Sequence, residues 1–129
     1  MGDAGSGFLG YILSVAAIVT ARESAVGLLV WLILGGVFFV DATLTLARRL
    51  LRGERLHEAH RSHAYQNLSR RWGSHAKVTL LVVAVNVLWL IPLAAFALSH
   101  PRWAGWIAVT ALVPVIAAAA WAGAGKSAS

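Results

Sequence analysis

Two carboxylates and a run of histidines and arginines are the residues here whose types and spacing could do chemistry. Asp3 lies in the opening stretch MGDAGSGFLG, flanked by Gly2 and Gly5 and leading into an apolar run. A carboxylate at the edge of a membrane span, on flexible backbone, is placed to hold Mg²⁺ against a diphosphate. Asp41 sits inside a second apolar run, about 10 Å of helical rise before Arg48. A carboxylate inside a span costs about 2.5–3.5 kcal/mol on insertion scales, so it raises a functional hypothesis. The plainer reading is a partner for Arg48 or Arg49, and both stay open. The stretch HEAHRSHAYQ then carries His57, His60, Arg61 and His63. Histidines three apart on a helix turn about 300° per step, so His57 and His63 diverge by about 120°. That geometry disfavours a zinc site made by these side chains alone. Interleaved His and Arg donors beside a membrane instead suit phosphate, with Arg61 supplying the planar fork. Their plainer role is a solvated basic face on lipid headgroups.

One further pattern carries little. Gly5 to Gly10 fits G-x-G-x-x-G, but a dinucleotide site requires a preceding strand and a βαβ unit. Neither is legible here, so Gly7 and Gly10 read as small residues that let helices pack closely in lipid.

The elements that must position these residues follow from hydropathy. The chain has 129 residues, 59% hydrophobic and 12% charged, with a mean hydropathy of +0.73. A soluble domain of this size cannot hide so much apolar surface, so the expected fold is all-α and polytopic. Four spans are expected, over about 7–21, 25–47, 78–98 and 103–122, with short linkers that make neighbours antiparallel. The first is short for a hydrocarbon core of about 30 Å. Pro92 and Pro114 fall inside spans and predict kinks. Trp103 and Trp121 sit near span ends, as interfacial anchors do. Asn86 predicts an interhelical hydrogen bond. Residues 123–129 predict a frayed tail. With no cysteine in the chain, disulfides and thiolate metal sites are excluded.

The net charge of +6 is concentrated in one connection: 48–77 holds eight Lys or Arg against two Glu. Charge lying between spans points to an anionic membrane surface rather than to nucleic acid. The other two connections carry one basic residue each, Arg22 and Arg102. Basic connections stay in the cytoplasm, so the long loop and both termini are expected there. Within the loop, Leu56, Ala64, Leu68 and Trp72 recur at multiples of four, with Arg55, Glu58, Arg61, Arg70 and Arg71 between them. This predicts an amphipathic surface helix that ends at Gly73.

Together these segments resemble the polyprenyl-phosphate N-acetylhexosamine-1-phosphate transferases. That family is also known as glycosyltransferase family 4 and includes the translocase that makes lipid I. MGDAGSGFLG is similar to its F-M-G-D-x-G-S segment. DATLTLARRLLRGERLHEAHRSHAYQNL is similar to its later Asp, Arg-Arg and histidine-bearing loop. The loop looks most like the O-antigen-initiating branch, which reads A-H-R-S-H-x-Y-Q. The resemblance implies a Mg²⁺-dependent enzyme, with Mn²⁺ as an alternative, at the bacterial inner membrane. Undecaprenyl phosphate and a UDP-N-acetylhexosamine are the implied substrates, in cell-envelope polysaccharide synthesis. Residue by residue, it makes Asp3 the metal-binding, catalytic carboxylate and His63 the first histidine of an H-x-H-H motif. His60, Arg61, Arg48 and Arg49 become substrate-binding, and Asp41 supportive. Tyr65 and Gln66 stand where that motif has later histidines.

The family places its Gly-Asp motif past the middle of a chain of ten or eleven spans. Met1 matches an internal Met of that motif, and no Asp-Asp motif occurs in this sequence. The expectation is therefore a C-terminal part, inactive alone, whose partner is the N-terminal half of such an enzyme. Two other classes compete: a small four-span transporter and a scaffold that binds anionic lipid through its loop. A transporter would want an acidic residue deep in the first span, and none is there.

Overall fold

The computed structural model describes residues 3–53 and 64–124, together with all side chains there except those of residues 3, 4, 6 and 23. Every regular element among them is helical. The elements are α1 (Asp3–Glu23), α2 (Ala25–Leu34), α3 (Gly36–Leu51), α4 (Ala64–Trp72) and α5 (His75–Val85). A π-helical turn (Asn86–Leu90) joins α5 to α6 (Ile91–Ser99), and a 3₁₀ turn (Pro101–Trp103) leads into α7 (Ala104–Trp121).

Local chemistry explains most of the boundaries. Ser24 and Ser74 are N-caps whose hydroxyls accept from the amides of Gly27 and Lys77, at 3.3 and 3.4 Å. Gly73 ends α4 in the left-handed region at φ +61°, where a Cβ is strained. The π turn precedes Pro92, which has no N–H for the Leu88 carbonyl and whose ring would crowd that turn. The backbone widens there instead, and Ile91 N–H bonds back to the Asn86 carbonyl.

Two continuous helices are long and apolar enough to cross a membrane, His75–Ser99 with 25 residues and Pro101–Trp121 with 21. They match the expected third and fourth spans. The expected second span is different: α2 and α3 form a pair bent by 78° at Gly35, so 25–47 is not one straight rod. Counted together, that pair would be a third span. The expected first span is helical, but its apolar part, Gly7–Arg22, is shorter than a full crossing. Of the expected amphipathic loop helix, Ala64–Trp72 is helical with Ala64 and Leu68 buried, but Trp72, expected on the same face, is exposed. The Leu56 end lies outside the described residues.

The core lies among α2, α3, α6 and α7. Ile33, Leu90, Ala97, Ala104 and Ala111 are almost fully buried. Much of this contact is alanine, which lets backbones approach where lipid offers no hydrophobic drive to associate. Close approach fixes two glycines. A Cβ on Gly27 would lie 2.6 Å from the Thr20 carbonyl oxygen, so α1 and α2 meet there. A Cβ on Gly36 would lie 2.7 Å from a Leu112 methyl group. Gly7 and Gly10, expected to be the packing glycines, face open space among the described residues. The outer surface is strongly apolar, with Phe38, Leu80, Leu88 and Trp106 all about three-quarters exposed. A surface of this kind belongs in a bilayer rather than in water.

Candidate functional site around Asp41

Of the residues singled out by type, Asp41 has the best-defined surroundings. It sits on α3, two turns before Arg48 and Arg49 in that helix's last turn. Its Oδ1 accepts from Thr45 Oγ1 at 3.4 Å and from the backbone N–H of Ala64 at 2.8 Å. Ala64 is the first described residue of α4, and this bond ties it to α3 across 23 residues of sequence.

The basic end of α3 is tied to the end of α7. Arg48 Nη1 donates to the Ala124 carbonyl oxygen at 2.6 Å. Asn67 Nδ2, on α4, donates to the Gly123 carbonyl at 2.7 Å. The Arg71 guanidinium lies 6.0 Å from the Trp121 ring centroid, within cation–π range. Residues of α3 and α4 thus hold the turn that follows α7, through the carbonyls of Gly123 and Ala124.

A cavity of 420 Å³ opens beside Asp41. Its walls are apolar side chains of α3, α5 and α7, including Val37, Leu81, Val85 and Val115. Asp41, Tyr65 and Trp89 are its polar-capable members. A smaller pocket of 300 Å³, lined by Gln66, Ser69, Arg70 and His75, lies on the neighbouring face of α4. Tyr65 and His75 meet between the two, with Oη to Nδ1 at 3.5 Å and ring centroids 6.0 Å apart.

The remaining expected residues divide simply. Asp3 begins α1, but its side chain lies outside the described part, so the expected metal carboxylate has no described geometry. His57, His60, Arg61 and His63 also fall outside the described residues. Arg48 and Asp41 are brought to one region, through α4 and the end of α7. Asn86 turns back on its own helix, donating to the Val82 carbonyl at 2.8 Å, rather than reaching a neighbour as expected. The cross-helix bond there comes from Trp89 Nε1 to the Ala111 carbonyl, at 3.1 Å. Sequence reasoning also passed over Asn67, Thr45 and His75. Thr45 does stand four residues from Asp41, which is hydrogen-bonding distance on a helix.

Among the described residues, no three His, Cys, Asp or Glu side chains gather into a group able to hold a metal. Mg²⁺ does not require such a cage, because it binds through one or two carboxylates plus substrate phosphates. A single carboxylate such as Asp3 is compatible with that mode. The chain matches no family model, and neither a curated protein nor a solved structure matches it significantly.

Proposed function

We propose that this chain is part of a Mg²⁺-dependent membrane transferase that moves N-acetylhexosamine 1-phosphate from a UDP-sugar to undecaprenyl phosphate. The observation that carries the reading is a pair of motifs in order: Gly-Asp at Asp3, then Asp41, Arg48-Arg49 and A-H-R-S-H-x-Y-Q. The bond from Ala64 N–H to Asp41 supports it, because it gives the Asp of the second motif a use. It ties Ala64, the residue after His63 in sequence, to α3.

In the proposed reaction, a phosphate oxygen of undecaprenyl phosphate attacks the β-phosphorus of the UDP-sugar. The new bond joins that oxygen to the β-phosphorus, and the bond from the β-phosphorus to the bridging oxygen breaks. The products are UMP and a polyprenyl diphosphate-sugar. Mg²⁺, when bound, supplies charge neutralisation on the diphosphate. Asp3 contributes the carboxylate for it. His60, Arg61 and His63 donate to phosphate oxygens, which orients the diphosphate and offsets its charge. Arg49 and Arg48 add positive potential, while Arg48 also holds the end of α7. Asp41 acts through position, not contact. The basic connection gathers anionic substrate at the cytoplasmic face of a bacterial inner membrane, with both termini on that side and four crossings in all.

The test is UDP-N-acetylglucosamine binding to the purified chain in detergent, with and without Mg²⁺. Mg²⁺-dependent binding that Asp3→Ala abolishes supports the transferase. Binding indifferent to Mg²⁺ and to Asp3→Ala, or no binding while the chain remains helical, refutes it and leaves the lipid-binding scaffold.

A further inference from the structure

The helix α5 packs against α4 and runs into the π turn. The 420 Å³ cavity lies between it and the pair α3 and α7. One wall runs from Val78 to Trp89, and the facing wall from Ala122 back to Pro114. At 1.5 Å per residue these walls are about 12–16 Å long. The cavity is therefore a slot along the helices, with Ala64, Tyr65 and Leu68 of α4 across one end. At the other end Trp89 Nε1 donates to the Ala111 carbonyl at 3.1 Å, which holds the π turn against α7. Leu81, Pro114 and Ala118 line the slot and are also exposed, so its side opens outward between α5 and α7.

The polar-capable members of the lining are already engaged. Asp41 Oδ1 accepts from Thr45 and Ala64, Tyr65 Oη meets His75 Nδ1, and Trp89 donates to Ala111. The rest of the lining is apolar, and water finds too few partners on such walls to settle there. The volume lies within the range of about 300–1,000 Å³ of small-molecule sites. Two of the walls belong to His75–Ser99 and Pro101–Trp121, the continuous helices long enough to cross a membrane. The slot begins where these helices meet α4, and it ends at the π turn, near the middle of His75–Ser99. A hydrocarbon core of about 30 Å gives each leaflet about 15 Å, so the slot is one leaflet deep.

We infer that the slot holds one acyl chain of a membrane lipid, taken from the leaflet next to α4 and recognised through its hydrocarbon alone. The chain enters sideways past Leu81 and Ala118 and lies along α5. Its ester end stays near α4 and its methyl end reaches Trp89. Apolar walls gain dispersion energy only from atoms packed against them, and a seated chain supplies those atoms. The depth decides between sources of hydrocarbon. An acyl chain spans one leaflet, so it ends where the slot ends. A polyprenyl chain is much longer than a leaflet is deep and branched at every unit, and it would run into the closed end at Trp89. The site is therefore separate from the proposed transferase substrate and does not rest on that reading.

The experiment is photocross-linking of the full chain in phosphatidylcholine vesicles. The vesicles contain a trace of phosphatidylcholine with a diazirine either near the ester or near the chain end, and labelled residues are mapped by mass spectrometry. The chain-end probe should mark Val85 and Trp89 about fivefold over Leu80 and Leu88, which face outward. The near-ester probe should mark Leu68 and Val78 instead. A phosphatidylglycerol probe should give the same pattern. Ala118→Trp and Val82→Trp fill the slot from opposite walls, and each should cut slot labelling about tenfold with helicity and the labelling of Leu80 and Leu88 unchanged. Slot labelling no greater than that of Leu80 overturns the inference, and this arm needs only the parent chain. So does labelling that follows the headgroup, that persists in both folded variants, or that equimolar undecaprenyl phosphate removes. Asp3→Ala leaves the slot pattern unchanged even where it abolishes UDP-sugar binding, which separates the two readings.

Discussion

Asp41 shows how a side chain that asks for a reason in the sequence can act by position in the fold. Its carboxylate accepts from the Ala64 amide of α4 over a separation of 23 residues. A hydrogen bond to a charged group contributes about 1.5–3 kcal/mol, and removing it leaves an unmet buried donor. Asp41→Ala should therefore destabilise the chain by about 2 kcal/mol. Amide hydrogen exchange should speed up first at Ala64–Leu68, before any change in α6 or α7. Asp41→Asn keeps an acceptor but not the charge, and should cost about half as much. Equal exchange at α4 in both variants and the parent would remove Asp41 from this role. The sequence announced that Asp41 needed a reason, because a carboxylate in an apolar run is expensive. It could not say that the reason lay at Ala64, because no local pattern links residues so far apart. Asn67 was less legible still: in a polar stretch an amide side chain looks solvated, and its acceptor at Gly123 is a backbone group.

At the level of elements, glycine decides where helices touch. Gly27 faces the Thr20 carbonyl so closely that any Cβ must push α1 from α2. Gly27→Ala should cost about 1–3 kcal/mol in a denaturation titration. It should also weaken the 2.7 Å bond from Trp31 Nε1 to Thr20 Oγ1 across the same contact. Gly10→Ala meets nothing within 4 Å and should be neutral or stabilising by up to about 1 kcal/mol, since alanine is the better helix former. If Gly10→Ala cost as much as Gly27→Ala, the assignment of close approach would be wrong. The helices themselves were legible because apolar runs, serine caps and Gly73 all act within a turn or two. The break at Gly35 was not, because hydropathy measures how apolar a run is and not its direction. The Gly35-Gly36 pair was the available sign, since two adjacent glycines weaken a helix at the point where they occur. The π turn had its own sign in Pro92, which predicts a kink but not the widened turn that accommodates it.

For the whole molecule, the distribution of charge predicts an orientation that the packing alone leaves open. The basic connection joining α3 to α5 and the short turn at His100–Arg102 lie at opposite ends of His75–Ser99, a helix long enough to cross. A cysteine placed at Trp72 should react with a membrane-impermeant thiol reagent only from the cytoplasmic side, and one at His100 only from the other. Labelling of both from one side would mean that this helix does not span. The membrane character of the chain was plain from composition, because that much apolar surface has no place in water. The number of crossings was less plain, because span length depends on where each helix bends.

That bend has a mechanical consequence for the surrounding lipid. Two helices set at 78° cannot both follow the bilayer normal. If α2 stands upright, α3 reclines almost in the plane with its 16 residues, a rod about 24 Å long and about 10 Å wide. Such a rod takes up area in one leaflet and none in the other. The leaflet that holds it is stretched laterally, and the membrane relieves the mismatch by curving toward the opposite side. Asp41 and Arg48, both on α3, would then sit where headgroups are pushed apart.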